Sequence, residues 1–290
     1  MTAQQGTGRL VVSGIGFAEG PRWHEGALWF SDMARERICR LVDEPGAPAR
    51  AEDVGIIPGT PSGLGWLPDG TLLAVSMHRR TVYRVDADGA RLHADLRRTV
   101  PADLNDMVVA PNGNAYVTGF GYDAAAGEKR QATGVCLVRP DGSVELQQGE
   151  LWRPNGVAVT ADGRRLVVAE TRLHRISVQD IAADGTLGER RDLAHLPSGT
   201  WADGVCLDAE DAVWVADPKG HGVFRFLADG TLDRQIDFGM DSPVACVLGG
   251  PERRTLYLTV GPVRPMHEAR TDPQGRIVAI DVDVPGAGRP

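Results

Sequence analysis

One short motif recurs six times along this chain of 290 residues, and that repeat limits the possible folds more than any other feature. Successive copies start roughly 40 to 50 residues apart, a period typical of one four-stranded propeller blade. Six such units fill the chain. The copies begin at Glu19, Ser62, Asn105, Asn155, Asp203 and Pro243.

Each copy has the pattern of a β-hairpin. Apolar and polar residues alternate, a turn such as Asp69-Gly70 or Asn112-Gly113 interrupts them, and the alternation then resumes. A second pair of candidate strands follows each hairpin. The sequence therefore predicts an all-β, six-bladed β-propeller with four antiparallel strands per blade, formed by residues 1–290 as a single domain.

The last repeat lacks a convincing fourth strand, whereas an unassigned strand at residues 9–14 precedes the first repeat. We predict that this N-terminal strand closes the ring by pairing with blade six, since closure hides the strand edges of an open array.

Composition argues against several classes of partner. The net charge of −8 opposes binding to nucleic acid, and no apolar run approaches the length of a membrane span. The N-terminus lacks the pattern of a signal peptide, so a cytoplasmic location is expected. A closed ring does not require an oligomer. The four cysteines lie among apolar neighbours without a C-x-x-C pair, which predicts buried free thiols: Cys39, Cys136, Cys206 and Cys246.

Four copies place an oxygen-bearing side chain at the same first position: Glu19, Asn105, Asn155 and Asp203. Asn-Gly and Asp-Gly pairs often form turns, but here each pair precedes the inner strand and the hairpin turn comes about eight residues later. Equivalent positions on innermost strands should converge at one mouth of the central channel. Two carboxylates held close together repel unless a cation or proton compensates them. An all-oxygen set favours calcium, with magnesium, manganese, zinc or iron as alternatives.

Three segments also resemble a known family: FAEGPRWHEGALWFSD from Phe17, RPNGVAVTADGRRLVVAET from Arg153, and DGVCLDAEDAVWVAD from Asp203. They are similar to the signatures of the senescence-marker-protein, gluconolactonase and luciferin-regenerating-enzyme family of six-bladed propellers. The resemblance implies a divalent cation held by Glu19, Asn155 and Asp203, with Asn105 contacting water or substrate. It also implies hydrolysis of a small lactone or ester, with the metal polarising the carbonyl and Asp203 acting as general base.

One position departs from this family. Sugar lactonases of this type often carry an arginine two residues before the Asn105 position, where this chain has Asp103, so the identity of the lactone stays open. We predict further substrate contacts beside the site or after second strands, from Met77, His78, Phe120, Tyr122, Trp152 and Trp201. Solvated carboxylates are expected at the ends of second strands, at Asp32, Glu170 and Asp217.

Two other functions fit the same sequence. A metal-centred propeller can hydrolyse phosphoesters or organophosphates by the same electrostatic logic. A non-enzymatic binding propeller is the second alternative, because a fold does not specify an activity. That alternative does not explain four oxygen ligands at one position of the repeat.

Overall fold

A computed structural model describes residues 4–5, 8–44, 46–124, 126–147 and 149–288, with the backbone alone for residues 4–5. Six small antiparallel sheets stand in a ring, and the innermost strand of each sheet contacts the innermost strand of the next. The prediction of a six-bladed β-propeller is confirmed.

Blades one to three follow chain order from the innermost strand outward. Their strands, numbered along the chain after two N-terminal strands, β1 (Gln4–Gln5) and β2 (Arg9–Ile15), are β3 (Ala18–His24), β4 (Ala27–Asp32), β5 (Arg37–Val42), β6 (Arg50–Ile56), β7 (Pro61–Trp66), β8 (Leu72–Ser76), β9 (Thr81–Asp86), β10 (Gly89–Asp95), β11 (Leu104–Val109), β12 (Ala115–Gly119), β13 (Cys136–Val138) and β14 (Val144–Leu146).

Blades four to six repeat this order. Their strands are β15 (Pro154–Val159), β16 (Arg165–Glu170), β17 (Arg175–Asp180), β18 (Arg191–His195), β19 (Val205–Leu207), β20 (Val213–Asp217), β21 (Gly222–Phe226), β22 (Leu232–Asp237), β23 (Pro243–Gly249), β24 (Thr255–Val260) and β25 (Gly275–Asp281). A 3₁₀ turn at Met33–Arg35 contacts the α-helix at Met266–Thr271, which is inserted between β24 and β25.

The N-terminal strand closes the ring as predicted. Strand β2 pairs antiparallel with β25, from Arg9 opposite Ala279 to Ile15 opposite Gly275, and so supplies the outer strand of blade six. One blade departs from four strands, because β1 pairs in parallel with Ile236–Asp237 at the edge of blade five. The chain thus runs along blade five before it enters blade six.

The hydrophobic core lies between the blades. Six apolar clusters each span two adjacent blades, for example the cluster that joins Val75 of blade two to Met107 of blade three. The four cysteines are buried and free, as predicted. The sulfur atoms of Cys206 and Cys246 approach to 3.7 Å across blades five and six, which is longer than a disulfide bond. No helix in the described ranges has the length and apolar character needed to cross a bilayer.

The glycines that follow Asn155 and Asp203 serve inter-blade packing. A Cβ atom on Gly156 would lie 2.5 Å from the carbonyl oxygen of Asp203, and one on Gly204 would lie 2.4 Å from the Cβ of Ala245. Neither glycine has a positive φ angle, so neither is required by a turn. The Asn-Gly and Asp-Gly pairs of the repeat therefore mark close contact between neighbouring inner strands.

Candidate functional site

The side chains at the first position of the repeat meet at one end of the channel. The Nδ2 atom of Asn105 donates a hydrogen bond to Oδ1 of Asn155 at 2.5 Å. Asn155 lies close enough to the carboxyl of Asp203 to lower its pKa, and the charge of Asp203 raises the pKa of Glu19. Residues separated by almost two hundred positions in the sequence thus share one site.

Irregular pairing on the inner strands turns these side chains toward the channel. The register between β3 and β4 shifts between Glu19 and Arg22, and equivalent shifts flank Asn105 and Asn155. A β-bulge rotates the strand locally and re-aims side chains. The side chains of Glu19, Asn105 and Asn155 therefore depart from the regular alternation of side chains along their strands.

Asn155 is oriented by a hydroxyl from the next strand of its own blade. Its Nδ2 atom donates to Oγ1 of Thr171 at 3.2 Å, and the Thr171 hydroxyl in turn donates to the carbonyl oxygen of Ala202 at 2.8 Å. The amide nitrogen therefore faces Thr171. The carbonyl oxygen Oδ1 faces Asn105.

Burial and neighbouring negative charges raise the pKa of both carboxyl groups. Burial is the main cause that raises the pKa of Glu19 well above its usual range, and the charge of Asp203 adds to it. Burial likewise raises the pKa of Asp203 to about 7, against the opposing positive charge of Arg153. Carboxyl groups in this state bind a proton or a cation more readily than solvated ones.

A buried ion pair underlies the site. Arg22 contacts Asp106 at 2.6 Å, and its guanidinium also donates to the carbonyl oxygens of Leu64 and Met107. These contacts join the inner strands of blades one, two and three. The charge of Asp106 also raises the pKa of both Glu19 and Asp203.

A cavity of about 570 Å³ opens beside the site, and Asn155 and Asp203 form part of its wall. Its apolar and aromatic lining includes Phe17, Tyr122 and Trp201. Tyr122 is buried, whereas Trp201 remains 38% exposed. A volume of this size suits a small-molecule ligand.

The remaining predicted contacts lie around this cavity and do not line it. Phe120 lies beneath the guanidinium of Arg153, with 4.1 Å between the Arg153 Cζ atom and the ring centroid. Met77 packs against the apolar cluster that contains Phe17. His78 and Asp103 form a pair of their own at 2.8 Å, with side chains 55% and 39% exposed. Trp152 is half-buried, and its backbone N–H donates to Glu170 at 2.7 Å.

The expectation that second strands end in solvated carboxylates is wrong. Asp32, Glu170 and Asp217 are fully buried. Each accepts a hydrogen bond from the backbone of the segment leading to the inner strand of its blade, at Phe17, Trp152 and Trp201 respectively. These carboxylates hold the segments that precede Glu19, Asn155 and Asp203.

The donor set fits a hard divalent cation. Glu19 and Asp203 offer carboxylate oxygens and Asn155 offers an amide oxygen, all at one end of the channel. No cluster of three or more His, Cys, Asp or Glu side chains suited to a metal occurs among the described residues. The candidate set has three oxygen ligands because the amide oxygen of Asn155 is counted with the carboxylates of Glu19 and Asp203.

Several residues at this site are not indicated by the repeat. Arg130, Arg153, Thr171 and Arg172 line the cavity together with His174. Arg153 and Thr171 belong to the segment RPNGVAVTADGRRLVVAET that carries Asn155. Their closeness to Asn155 in the sequence is the one indication that they belong to the site. Arg130 lies in the loop between β12 and β13, and the sequence of so long a loop does not indicate which residues its side chains contact.

Comparisons with known proteins agree with this architecture. A family model described as the SMP-30/Gluconolactonase/LRE-like region matches residues 17–261. Pentonolactonase XacC of Haloferax volcanii is 28% identical over 290 residues, which cover 96% of this chain and 95% of the relative. The 6-deoxy-6-sulfogluconolactonase of Pseudomonas putida is 25% identical over 283 residues, covering 94% and 93%. Among solved structures, the calcium-binding protein regucalcin of Agrobacterium tumefaciens superposes with a TM-score of 0.79 at 19% identity, covering 99% and 97%.

Proposed function

Because this chain belongs to the SMP-30/Gluconolactonase/LRE-like family, we propose that it hydrolyses a small lactone in the cavity beside Asp203. Two relatives that match nearly its whole length are named as lactonases. The observation that carries the proposal is the position of Asp203, a buried carboxyl with a pKa of about 7 that forms part of the cavity wall.

The cofactor we propose is one divalent cation, held by Glu19, Asn155 and Asp203. Two buried carboxyl groups whose pKa values are both raised form a site that a cation stabilises. Calcium is the first candidate, because every ligand is an oxygen and the similar regucalcin is described as calcium-binding. When bound, the cation supplies Lewis-acid stabilisation of the negative charge that develops on the lactone carbonyl oxygen.

Asp203 is the proposed general base. A base works best when its pKa lies near the operating pH. Without a cation the pKa of Asp203 is about 7, and the charge of a bound cation would lower it. Its carboxylate accepts a proton from water as the water oxygen bonds to the carbonyl carbon. The ring C–O bond then breaks, and the proton passes from Asp203 to the leaving alkoxide, so that the product is a hydroxy acid.

Other residues hold the substrate and the base in place. Asn105 presents an amide next to Asn155, where we propose that it orients water or substrate. Tyr122 and Trp201 offer aromatic faces to the ring of the lactone. Asp217 holds the backbone of Trp201 at 2.8 Å and thereby fixes the segment that leads to Asp203.

Exchange of Asp203 for asparagine tests the function directly. Asp203→Asn keeps a metal-binding oxygen and removes the base, so we expect hydrolysis of glucono-δ-lactone to fall about 100-fold or more while calcium still binds. Asp88→Asn is the matched control, because Asp88 is 87% exposed on a turn. An organophosphate triester assayed in parallel distinguishes the competing activity. Full lactonase activity in Asp203→Asn, or turnover of the triester alone, would contradict the proposal.

A further inference from the structure

Three arginine side chains face the cavity that contains Asp203. Arg130, Arg153 and Arg172 belong to its wall. No ion pair with any of these three guanidinium groups occurs within the part of the chain that the structure describes, where ion pairs extend to 4.0 Å. Three unpaired cations on one small cavity form a concentrated positive surface.

Some arginines elsewhere in the molecule form ion pairs. Arg225 contacts Asp208, Glu210 and Asp233, each within 2.9 Å. Arg175 is likewise paired with Glu170 and Asp192. The protein carries an excess of acidic residues, 39 against 31 basic ones, so carboxylates are abundant. Among the described residues, arginines such as Arg50, Arg79 and Arg98 also lack an ion pair, so the feature of this wall is that three arginines line one cavity.

The position of Arg153 is fixed by its backbone and by an aromatic ring. Its φ angle is +57°, a left-handed conformation that a non-glycine residue seldom adopts. Its carbonyl oxygen accepts the N–H of Thr171 at 3.2 Å, and its guanidinium stacks on Phe120. Strained backbone conformations persist where the surrounding structure enforces them and cluster at functional sites. Arg153 is thus held against the cavity.

The wall carries more arginines than acidic residues. Besides the three arginines, the acidic residues of the wall are Glu128 and Asp203, counted over its described residues. Asp203 is assigned to the cation and the base in the proposed function. Glu128 already accepts the backbone N–H of Asp123 at 2.7 Å. A positive excess remains beside the bound substrate.

We propose that this wall selects lactones that carry an oxyanion substituent, a carboxylate, sulfonate or phosphate, away from the ring carbonyl. The inference rests on the proposed lactonase function. Guanidinium groups bind such oxyanions through paired N–H donors, more strongly than neutral hydrogen bonds. Arg153 provides the fixed contact, and the exposed Arg130 and Arg172 add charge at the rim.

Matched substrates test this selection. We expect kcat/KM for 6-phosphoglucono-δ-lactone to exceed that for neutral glucono-δ-lactone about tenfold or more at low ionic strength, and salt to reduce the advantage. Glucaro-lactone, which carries a carboxylate, shows whether a single negative charge suffices. Arg153→Gln should lower the ratio of charged to neutral kcat/KM about tenfold, and Arg50→Gln, an exposed arginine on β6, should leave the ratio unchanged. A preference for the neutral lactone, or an unchanged ratio in Arg153→Gln, overturns the inference.

A binding measurement separates this inference from the proposed function. Thermal shifts of the protein with 6-phosphogluconate and with gluconate require no turnover. A larger shift with 6-phosphogluconate that Arg153→Gln abolishes supports the oxyanion site, even if no lactone is hydrolysed. If this shift is seen and no lactone is hydrolysed, only the proposed lactonase activity is rejected. Equal shifts with both compounds would show that the arginines bind the carboxylate common to both acids, and would overturn the inference while leaving the lactonase proposal intact.

Discussion

The carbonyl oxygen of Asn155 accepts a hydrogen bond from the side chain of Asn105 at 2.5 Å. This contact joins blades three and four at the mouth of the channel and occupies the atom that we assign to the cation. Because Thr171 fixes the other end of the Asn155 amide at 3.2 Å, Oδ1 cannot exchange places with Nδ2 without losing both hydrogen bonds. The ligand atom is therefore set by its neighbours.

Thr171 should control the affinity for the cation without touching it. Thr171→Val removes the acceptor that orients Asn155, and loss of such a supporting contact typically weakens metal binding about 10- to 100-fold. Thr171→Ser keeps the hydroxyl and is the matched control. Calorimetric titration of calcium into chelator-treated protein measures the difference. Equal affinities in the two variants would show that Thr171 does not orient the ligand.

Glu19→Gln should affect stability and metal binding in opposite directions. Burial and the charge of Asp203 raise the pKa of Glu19, so removing the charge of Glu19 relieves repulsion in the metal-free protein. We expect a higher Tm than wild type in chelator at pH 8 and a weaker calcium affinity. Thermal melts with and without calcium provide both quantities. A lower Tm in chelator would mean that the two carboxyl groups do not repel each other.

The repeat was enough to predict the propeller, its closure by β2 and the convergence of Glu19, Asn105, Asn155 and Asp203, because equivalent positions in a ring must face the same axis. The sequence did not indicate which residues hold those four in place. Asp32 and Asp217 were expected in solvent, yet they are buried beneath the segments that they bind. Only three-dimensional structure shows that backbone N–H groups fifteen or sixteen residues earlier point at them.

Arg22 should be essential for the stability of blades one to three. Its buried guanidinium neutralises Asp106 and donates to two carbonyl oxygens of neighbouring blades. Arg22→Leu leaves Asp106 as an unpaired buried charge, which costs about 3–5 kcal/mol. Urea unfolding in chelator measures this loss. The double variant Arg22→Leu with Asp106→Asn should recover part of the loss, and a change below about 1 kcal/mol in the single variant would contradict the role.

The His78–Asp103 pair should show a weak dependence of stability on pH. The hydrogen bond with Asp103 raises the pKa of His78 above its usual value of about 6.5. A raised pKa in the folded state means that the stabilisation is present below pH about 6.5 and is lost as the pH rises through the higher folded value. Both side chains are substantially exposed, so the contribution should stay below about 1 kcal/mol. NMR titration of the His78 ring should show a lower pKa in Asp103→Asn. An unchanged pKa would show that the pairing with Asp103 does not raise the pKa of His78.

Ring closure depends on the N-terminal strand, and its removal should destabilise the whole propeller. Deletion of residues 1–14 removes most of β2, including Val12, which is 8% exposed and packs between blades six and one. Burial of one such side chain contributes about 1.5–3 kcal/mol, and the deletion also exposes the backbone of β25 as a free edge that favours aggregation. Deletion of residues 1–7 is the matched control, because it removes the short pairing of β1 and keeps β2. Thermal melts and light scattering should show a large loss of Tm and self-association in the longer deletion, with a small effect in the shorter one. Similar melting of the two deletions would show that the ring does not need β2 to close.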